Sequence, residues 1–176
     1  AWVTFANQRK AWAYQQDQLP TTHPIVADIA HLEAASQNFD GITYAKGAST
    51  LKQLVAYVGF DTFIEAARVY FKRHEWANTT LNDFLSVLNE VSGRDMQAWS
   101  RAWLQTSGLS TLGTRRVYGT DGQLTDLYLT QQLPEGIPAG VGRPHVVKLE
   151  TFRQHENRLV STGVLSLEYP SEPITE

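Results

Sequence analysis

Apolar residues recur at helical spacing through the first part of the chain and at alternate positions through the last part. Trp2, Phe5, Ala6, Trp12 and Ala13, with Arg9, Lys10, Gln15 and Gln16 between them, predict a helix over residues 1–16. Pro20 disfavours the α conformation at Leu19 and ends it, and His23 before Pro24 extends the break. Residues 25–38 read either as a short helix or as an irregular segment burying Ile25, Val26, Ile29, Leu32 and Ala35. A helix over 41–57 follows, striped by Leu51, Leu54, Val55 and Val58, with Gly59 at its C-terminal end. Asp61 is expected to cap the next helix, whose stripe is Ile64, Ala67 and Phe71 and which ends near His74. Thr80 and Asp83 form a capping-box pair ahead of Leu81, Phe84, Leu85 and Leu88, and Gly93 closes that helix. A last helix over 94–105 sets Trp99 and Trp103 one turn apart on one face.

At Gly108 the period changes. Residues 115–118, 124–131, 145–154 and 158–169 tend to alternate, with Leu127, Leu129, Val147, Leu149, Val160, Leu165 and Leu167 supplying apolar faces. Val164 beside Leu165 breaks the strict pattern. Turn-forming residues at 119–122, 134–144 and 155–157 separate these runs. The expected fold class is α+β in sequence-separated blocks: an N-terminal helical bundle over 1–108, then a small all-β sandwich over 109–176.

Composition adds limits. The 176 residues are 42% hydrophobic, enough for a packed core. Net charge is −3 and the charges are dispersed, which gives no footprint for nucleic acid or anionic lipid. There is no cysteine, hence no disulfide and no thiolate metal site; this is compatible with a reducing compartment, and a cytoplasmic protein is expected. No run approaches the roughly 18 apolar residues of a membrane span. The chain opens at Ala1 and Trp2 without initiator methionine, signal pattern or cap, as the interior of a helix would, so a piece of a longer protein is expected.

Candidate chemistry is sparse. None of His23, His31, His74, His145 and His155 lies four residues from another, and a structural role is the better reading for all five. No G-x-S-x-G, carboxylate dyad or phosphate-binding glycine loop is present. Asn78, Thr79 and Thr80 spell a glycosylation sequon better explained as a helix cap, and the Trp99/Trp103 pair with Met96 reads as core. Residues 38–49 stand out: a turn at Asp40 and Gly41, then Tyr44 and Lys46, then the small residues Gly47, Ala48 and Ser49 at a helix start. On its chemistry Tyr44 is either a half-buried packing residue or a phenol that donates to developing negative charge. The small residues would let another backbone or a substrate come close.

The order of these motifs resembles the aminopeptidase N family of zinc metallopeptidases, bacterial members above all. D-Q-L-P-x-x-H-P at 17–24 and N-F-D-x-I-x-Y-x-K-G-A at 38–48 carry the resemblance, continued by Val58 and Gly59, Asp83 to Leu85, and Trp99 with Trp103 before the switch to β structure. It implies that residues 1–108 are the closing helical part of a thermolysin-like catalytic domain and that the β unit is the small sandwich following it. It also implies that Tyr44 is catalytic, its hydroxyl donating to the tetrahedral intermediate opposite the zinc, whereas Lys46 is structural. The family's H-E-x-x-H, its downstream glutamate and its G-x-M-E-N loop are not in this sequence and are expected N-terminal to Ala1. The parent would then be a zinc aminopeptidase acting on peptides. The chain itself, without zinc or other cofactor ligands, would be inactive and would partner the missing part of that domain. A related epoxide-hydrolysing branch shares the fold. The reading from another class is a non-catalytic helical-plus-β interaction module in which Y-x-K-G only packs.

Overall fold

The computed structural model describes residues 1–27, 29, 31–134 and 142–169. The first helix is one continuous element: α1 (Trp2–Thr4), a π-helical turn (Phe5–Arg9) and α2 (Lys10–Asp17), ending just before Leu19 and Pro20. In the ambiguous segment, residues 25–27, 29 and 31 are not helical, and the short α3 (Leu32–Gln37) follows, whose N-terminus His31 caps by accepting from the Ala34 amide at 3.2 Å. A second π-helical turn (Ile42–Lys46) leads directly into α4 (Gly47–Val58). Then come α5 (Phe60–Arg73), α6 (Leu81–Ser92) and α7 (Met96–Leu104).

The helical core lies among α4 to α7. Leu54, Val58, Ala66, Leu85, Val87, Leu88, Met96, Trp99 and Trp103 form one buried cluster. The Trp99 and Trp103 rings stack with centroids 6.3 Å apart, as their one-turn spacing requires. Phe84 adds edge-to-face contacts with Phe63 and Tyr70. The expected α4 stripe holds at Leu54 and Val58 but not at Leu51, and the α5 stripe has the right period with its inward row shifted. Thr50, Leu54 and Val58 face inward on α4 while Leu51 is 50% exposed; Ala66 is buried on α5 while Phe71 is 70% exposed. Asp61 makes no capping bond either: Gly59, at φ +89°, precedes the helix, and Asp61 lies in its first turn, where the helix dipole favours an acid.

The capping box stands as expected. Thr80 Oγ1 accepts from the Asp83 amide, and the Asp83 carboxylate accepts from the Thr80 amide at 2.8 Å. Gly93 closes α6 in the left-handed region at φ +66°. Thr80→Ala removes one half of the box and should cost ~1 kcal/mol, read by chemical denaturation.

Beyond α7, the strands β1 (Thr111–Tyr118) and β2 (Leu124–Gln132) form one antiparallel pair, and β3 (His145–His155) and β4 (Arg158–Tyr169) another. A bulge between Thr151 and Phe152 pairs them with Gly163 and Ser161 and leaves Thr162 extra on β4. That extra residue puts Val160, Leu165 and Leu167 on one face and Val164 on the other, which accounts for the broken alternation. The fold is thus the expected one, a helical block followed by small antiparallel sheets. The ends of β3 and β4 nearest the helices, His145 and Tyr169, are buried, and the far ends are exposed.

Among the described residues, several contacts tie the segment beyond α7 to the helices. The Trp103 indole N–H donates to the Pro144 carbonyl at 2.9 Å. Arg94 makes a two-pronged ion pair with Glu168 at 2.6 and 3.1 Å while lying over the Tyr57 ring. A buried polar lock of Asp17, Lys46, Gly108 and Arg143 adds to these.

Candidate functional site around Tyr44

Tyr44 sits in the middle of the π-helical turn Ile42–Lys46. The turn's neighbouring side chains point inward: Ile42 is fully buried, Ala45 is 3% exposed and Lys46 is 7% exposed. Tyr44 points the other way and is 55% exposed. Its ring leans on Phe39, with centroids 5.7 Å apart. No hydrogen bond to its hydroxyl comes from the described residues. A π turn is uncommon and occurs mostly as a single-turn bulge within an α-helix.

Support at the start of the turn comes from Gln16 and His23. The Gln16 amide is used at both ends: Oε1 accepts from the Gly41 amide at 2.8 Å, and Nε2 donates to Asp40 Oδ2. His23 Nε2 donates to the same carboxylate oxygen at 2.8 Å, while Nδ1 faces the Pro24 carbonyl. Asp40 Oδ1 accepts from the Thr43 amide at 2.9 Å. Burial pushes the Asp40 carboxyl up, but the bonds from Thr43, His23 and Gln16, with the charge of His23, outweigh it and hold the group below the usual carboxylate range. Gly41 is closely packed here. A Cβ would fall 2.8 Å from Gln16 Oε1 and 3.0 Å from the Trp12 ring. At Gly47 a Cβ would make only ordinary contacts, 3.9 Å from Ile25 and from the Ile42 carbonyl.

Support at the end of the turn comes from Asp17. Lys46 Nζ lies 2.7 Å from Asp17 Oδ2, with side chains only 8% and 0% exposed. Asp17 Oδ1 accepts from the Gly108 amide at 2.9 Å and from Thr22 Oγ1 at 2.7 Å. Burial pushes the Lys46 ammonium below the usual lysine value, the bond to Asp17 opposes this, and Arg143 adds to it. Arg143 completes the lock. Its guanidinium donates to the Gly108 carbonyl at 2.8 Å, Thr106 Oγ1 at 2.9 Å, the Ser107 carbonyl at 3.0 Å and the Ala102 carbonyl at 3.2 Å. Burial lowers its pKa, and Asp17 works against that shift. The residue at the centre, Gly108, has φ +78°, and a Cβ there would fall 2.7 Å from Pro134.

His145 sits beside the lock, its ring edge-on to Trp103 at 4.8 Å. Burial, with Arg143 close by, pushes it down to about 4 from 6.5. The folded protein thus holds His145 neutral, whereas the unfolded chain takes up a proton below 6.5. Stability should fall as pH drops from 6.5 towards about 4. His145 Nε2 has no partner among the described residues, so His145→Phe should fill the same site and flatten that slope in thermal melts across the range.

Sequence reasoning singled out Tyr44 and left Lys46 as structural. It missed Gln16, Asp17 and Arg143, whose partners lie far along the chain. The one available signal for Asp17 was its place at the head of the D-Q-L-P motif. Among the described residues, no three histidine, aspartate or glutamate side chains are grouped to hold a metal. His23 is engaged by Pro24 and Asp40, and His31 by a helix end. No helix of the described residues is long and apolar enough to cross a membrane.

Comparison with known proteins places these features. Residues 1–103 match the Peptidase family M1 domain. The chain is 51% identical over 157 residues to aminopeptidase N of Streptomyces lividans, an alignment covering 86% of this chain and 18% of that protein. It is 36% identical over 107 residues to probable aminopeptidase 2 of Sulfurisphaera tokodaii, covering 61% of this chain and 14% of that one. The crystal structure of Legionella pneumophila aminopeptidase A, in complex with aspartic acid, superposes with a TM-score of 0.53 at 19% identity, over 77% of this chain and 16% of that chain. At that identity the superposition speaks for the fold alone.

Proposed function

The chain belongs to peptidase family M1, and we propose that it is the segment of a zinc aminopeptidase that presents Tyr44 to the scissile peptide bond. On this reading residues 1–108 are part of the catalytic domain and residues 109–176 a separate small β domain. The observation carrying it is Tyr44 itself: the tyrosine of Y-x-K-G projects from a π turn, exposed and with its hydroxyl available, while Ile42, Ala45 and Lys46 of the same turn are buried. A phenol held this way donates a hydrogen bond to the oxyanion that forms when the peptide carbonyl becomes tetrahedral. The donor is worth more against the oxyanion than against the ground-state carbonyl, so it lowers the barrier instead of tightening substrate binding.

Among the described residues no side chains are grouped to hold zinc, and no step is derived through a metal held by them. The ion belongs, on the family resemblance, to an H-E-x-x-H segment outside this sequence. The isolated chain should therefore be inactive, and the exposed Trp2, Val3 and Phe39 are surface available to the rest of the domain. A cytoplasmic location goes with this reading of a cysteine-free sequence.

The test uses the zinc-loaded, full-length protein carrying this segment. It should release the chromophore from a leucyl p-nitroanilide and leave the N-acetylated compound intact. Equal cleavage of both, or of neither, overturns the assignment.

A further inference from the structure

The two side chains gripping the two ends of the Tyr44 turn are consecutive residues of one helix. Gln16 holds Asp40 and Gly41 at the start of the turn. Asp17 holds Lys46 at its end. Both stand on the last turn of α2, which is continuous with the first helix and packs against the π turn through Trp12 and Gly41. The turn is thus clamped from a single rigid support, and Tyr44 is the residue between the clamps that points outward.

The two clamps differ in kind. Asp17 compensates a buried charge and accepts from the Gly108 amide beyond α7, so its loss disturbs the fold well outside the turn. Gln16 is neutral and only partly buried, and both of its bonds go to the two residues at which the Tyr44 turn begins. Gly41 sits at the helix start, where backbone N–H groups have no intrahelical acceptor, and Gln16 Oε1 supplies one. The planar amide, taking one bond at each end, sets both the height and the rotation of the turn's first residues. A donor aimed at an oxyanion must be held to within about 0.5 Å, so this is where small errors in the turn would be felt.

We propose that Gln16 is a positioning residue for Tyr44, setting through Asp40 and Gly41 where the tyrosine hydroxyl lies. Gln16 touches no reacting atom. This rests on the reading of Tyr44 as the oxyanion donor, and the experiment separates the two. In the zinc-loaded full-length enzyme, Gln16→Met keeps the length of the side chain and removes both bonds. It should lower kcat about 10- to 100-fold, the scale of a misplacement near 1 Å, with KM within about twofold of the unsubstituted enzyme. Gln16→Met combined with Tyr44→Phe should be no slower than Tyr44→Phe alone, because the positioned group is already gone. If Tyr44→Phe is slow but Gln16→Met keeps normal kcat, or if the two losses multiply, the positioning role is overturned and the donor role stands. If Tyr44→Phe turns over normally, the donor role falls and the positioning role with it.

Two further measurements keep the proposal exposed if Gln16→Met fails to fold. Gln16→Glu retains the acceptor for Gly41 but sets a second carboxylate against Asp40, and should show the same selective loss of kcat; normal kcat overturns the proposal. Hydrogen exchange of the Gly41 amide in the unsubstituted protein needs no activity at all. Protection of that amide supports the clamp, and exchange at the rate of an open helix end overturns it.

Discussion

Tyr44→Phe in the zinc-loaded aminopeptidase should lower turnover about 100- to 1000-fold and leave KM nearly unchanged. The substitution removes one hydroxyl from a ring that is 55% exposed and rests on Phe39, so folding has little to lose. The thermal midpoint of the variant should match the unsubstituted protein. The split between kcat and KM follows from where the donor acts. The ground-state carbonyl carries only partial charge, and the hydroxyl's bond gains strength as the oxyanion forms. A variant with raised KM and normal kcat would mean that Tyr44 grips substrate uniformly, and the donor role would be wrong.

Asp17→Ala should be the most damaging single substitution for stability, costing ~3–5 kcal/mol. It strands the Lys46 ammonium, 7% exposed, without its partner, and leaves the Gly108 amide without an acceptor from Asp17. For a domain of this size the loss corresponds to a fall of roughly 6 to 20 °C in Tm. Most of the penalty is the abandoned charge, because replacing a whole buried pair by apolar groups can be close to neutral. Asp17→Leu with Lys46→Met should therefore recover much of what Asp17→Ala loses. A double variant no more stable than the single one would place the energy in the bonds to Gly108 and Thr22 instead. Gly108→Ala offers an independent check on the same lock. It forces a side chain into φ +78° and against Pro134, and should destabilise by more than ~1 kcal/mol in denaturant melts.

The architecture was legible because it rests on local signals. The change from a 3.6 to a 2 period at Gly108, the Thr80/Asp83 box and the positive-φ Gly93 all act within a few residues of themselves. Phase was less legible than period. On α4 the inward row includes Thr50, a polar residue that no hydrophobic pattern would choose, and on α5 it includes Ala66, whose small side chain lets the helices approach while Phe71 stays outside. The family resemblance drew attention to Tyr44, which is 55% exposed in the structure. What holds it was not legible. Gln16 and Asp40 are 24 positions apart, Asp17 and Gly108 are 91 apart, and Arg143 reaches back to Gly108 across 35. Pairings at such separations leave no periodic trace, and a lysine followed by glycine gives no hint that its charge is buried.

The central claim is that Tyr44 stabilises a tetrahedral oxyanion. It is tested most directly by comparing ligands in the full-length, zinc-loaded enzyme with and without Tyr44→Phe. One ligand is a phosphinic dipeptide, tetrahedral where the scissile carbonyl would be; the other is the free amino acid product. The account predicts that the phosphinic ligand loses affinity by about the factor lost in kcat/KM, while the amino acid binds as before. Unchanged phosphinic affinity in a slow variant, or an equal loss for both ligands, would contradict it.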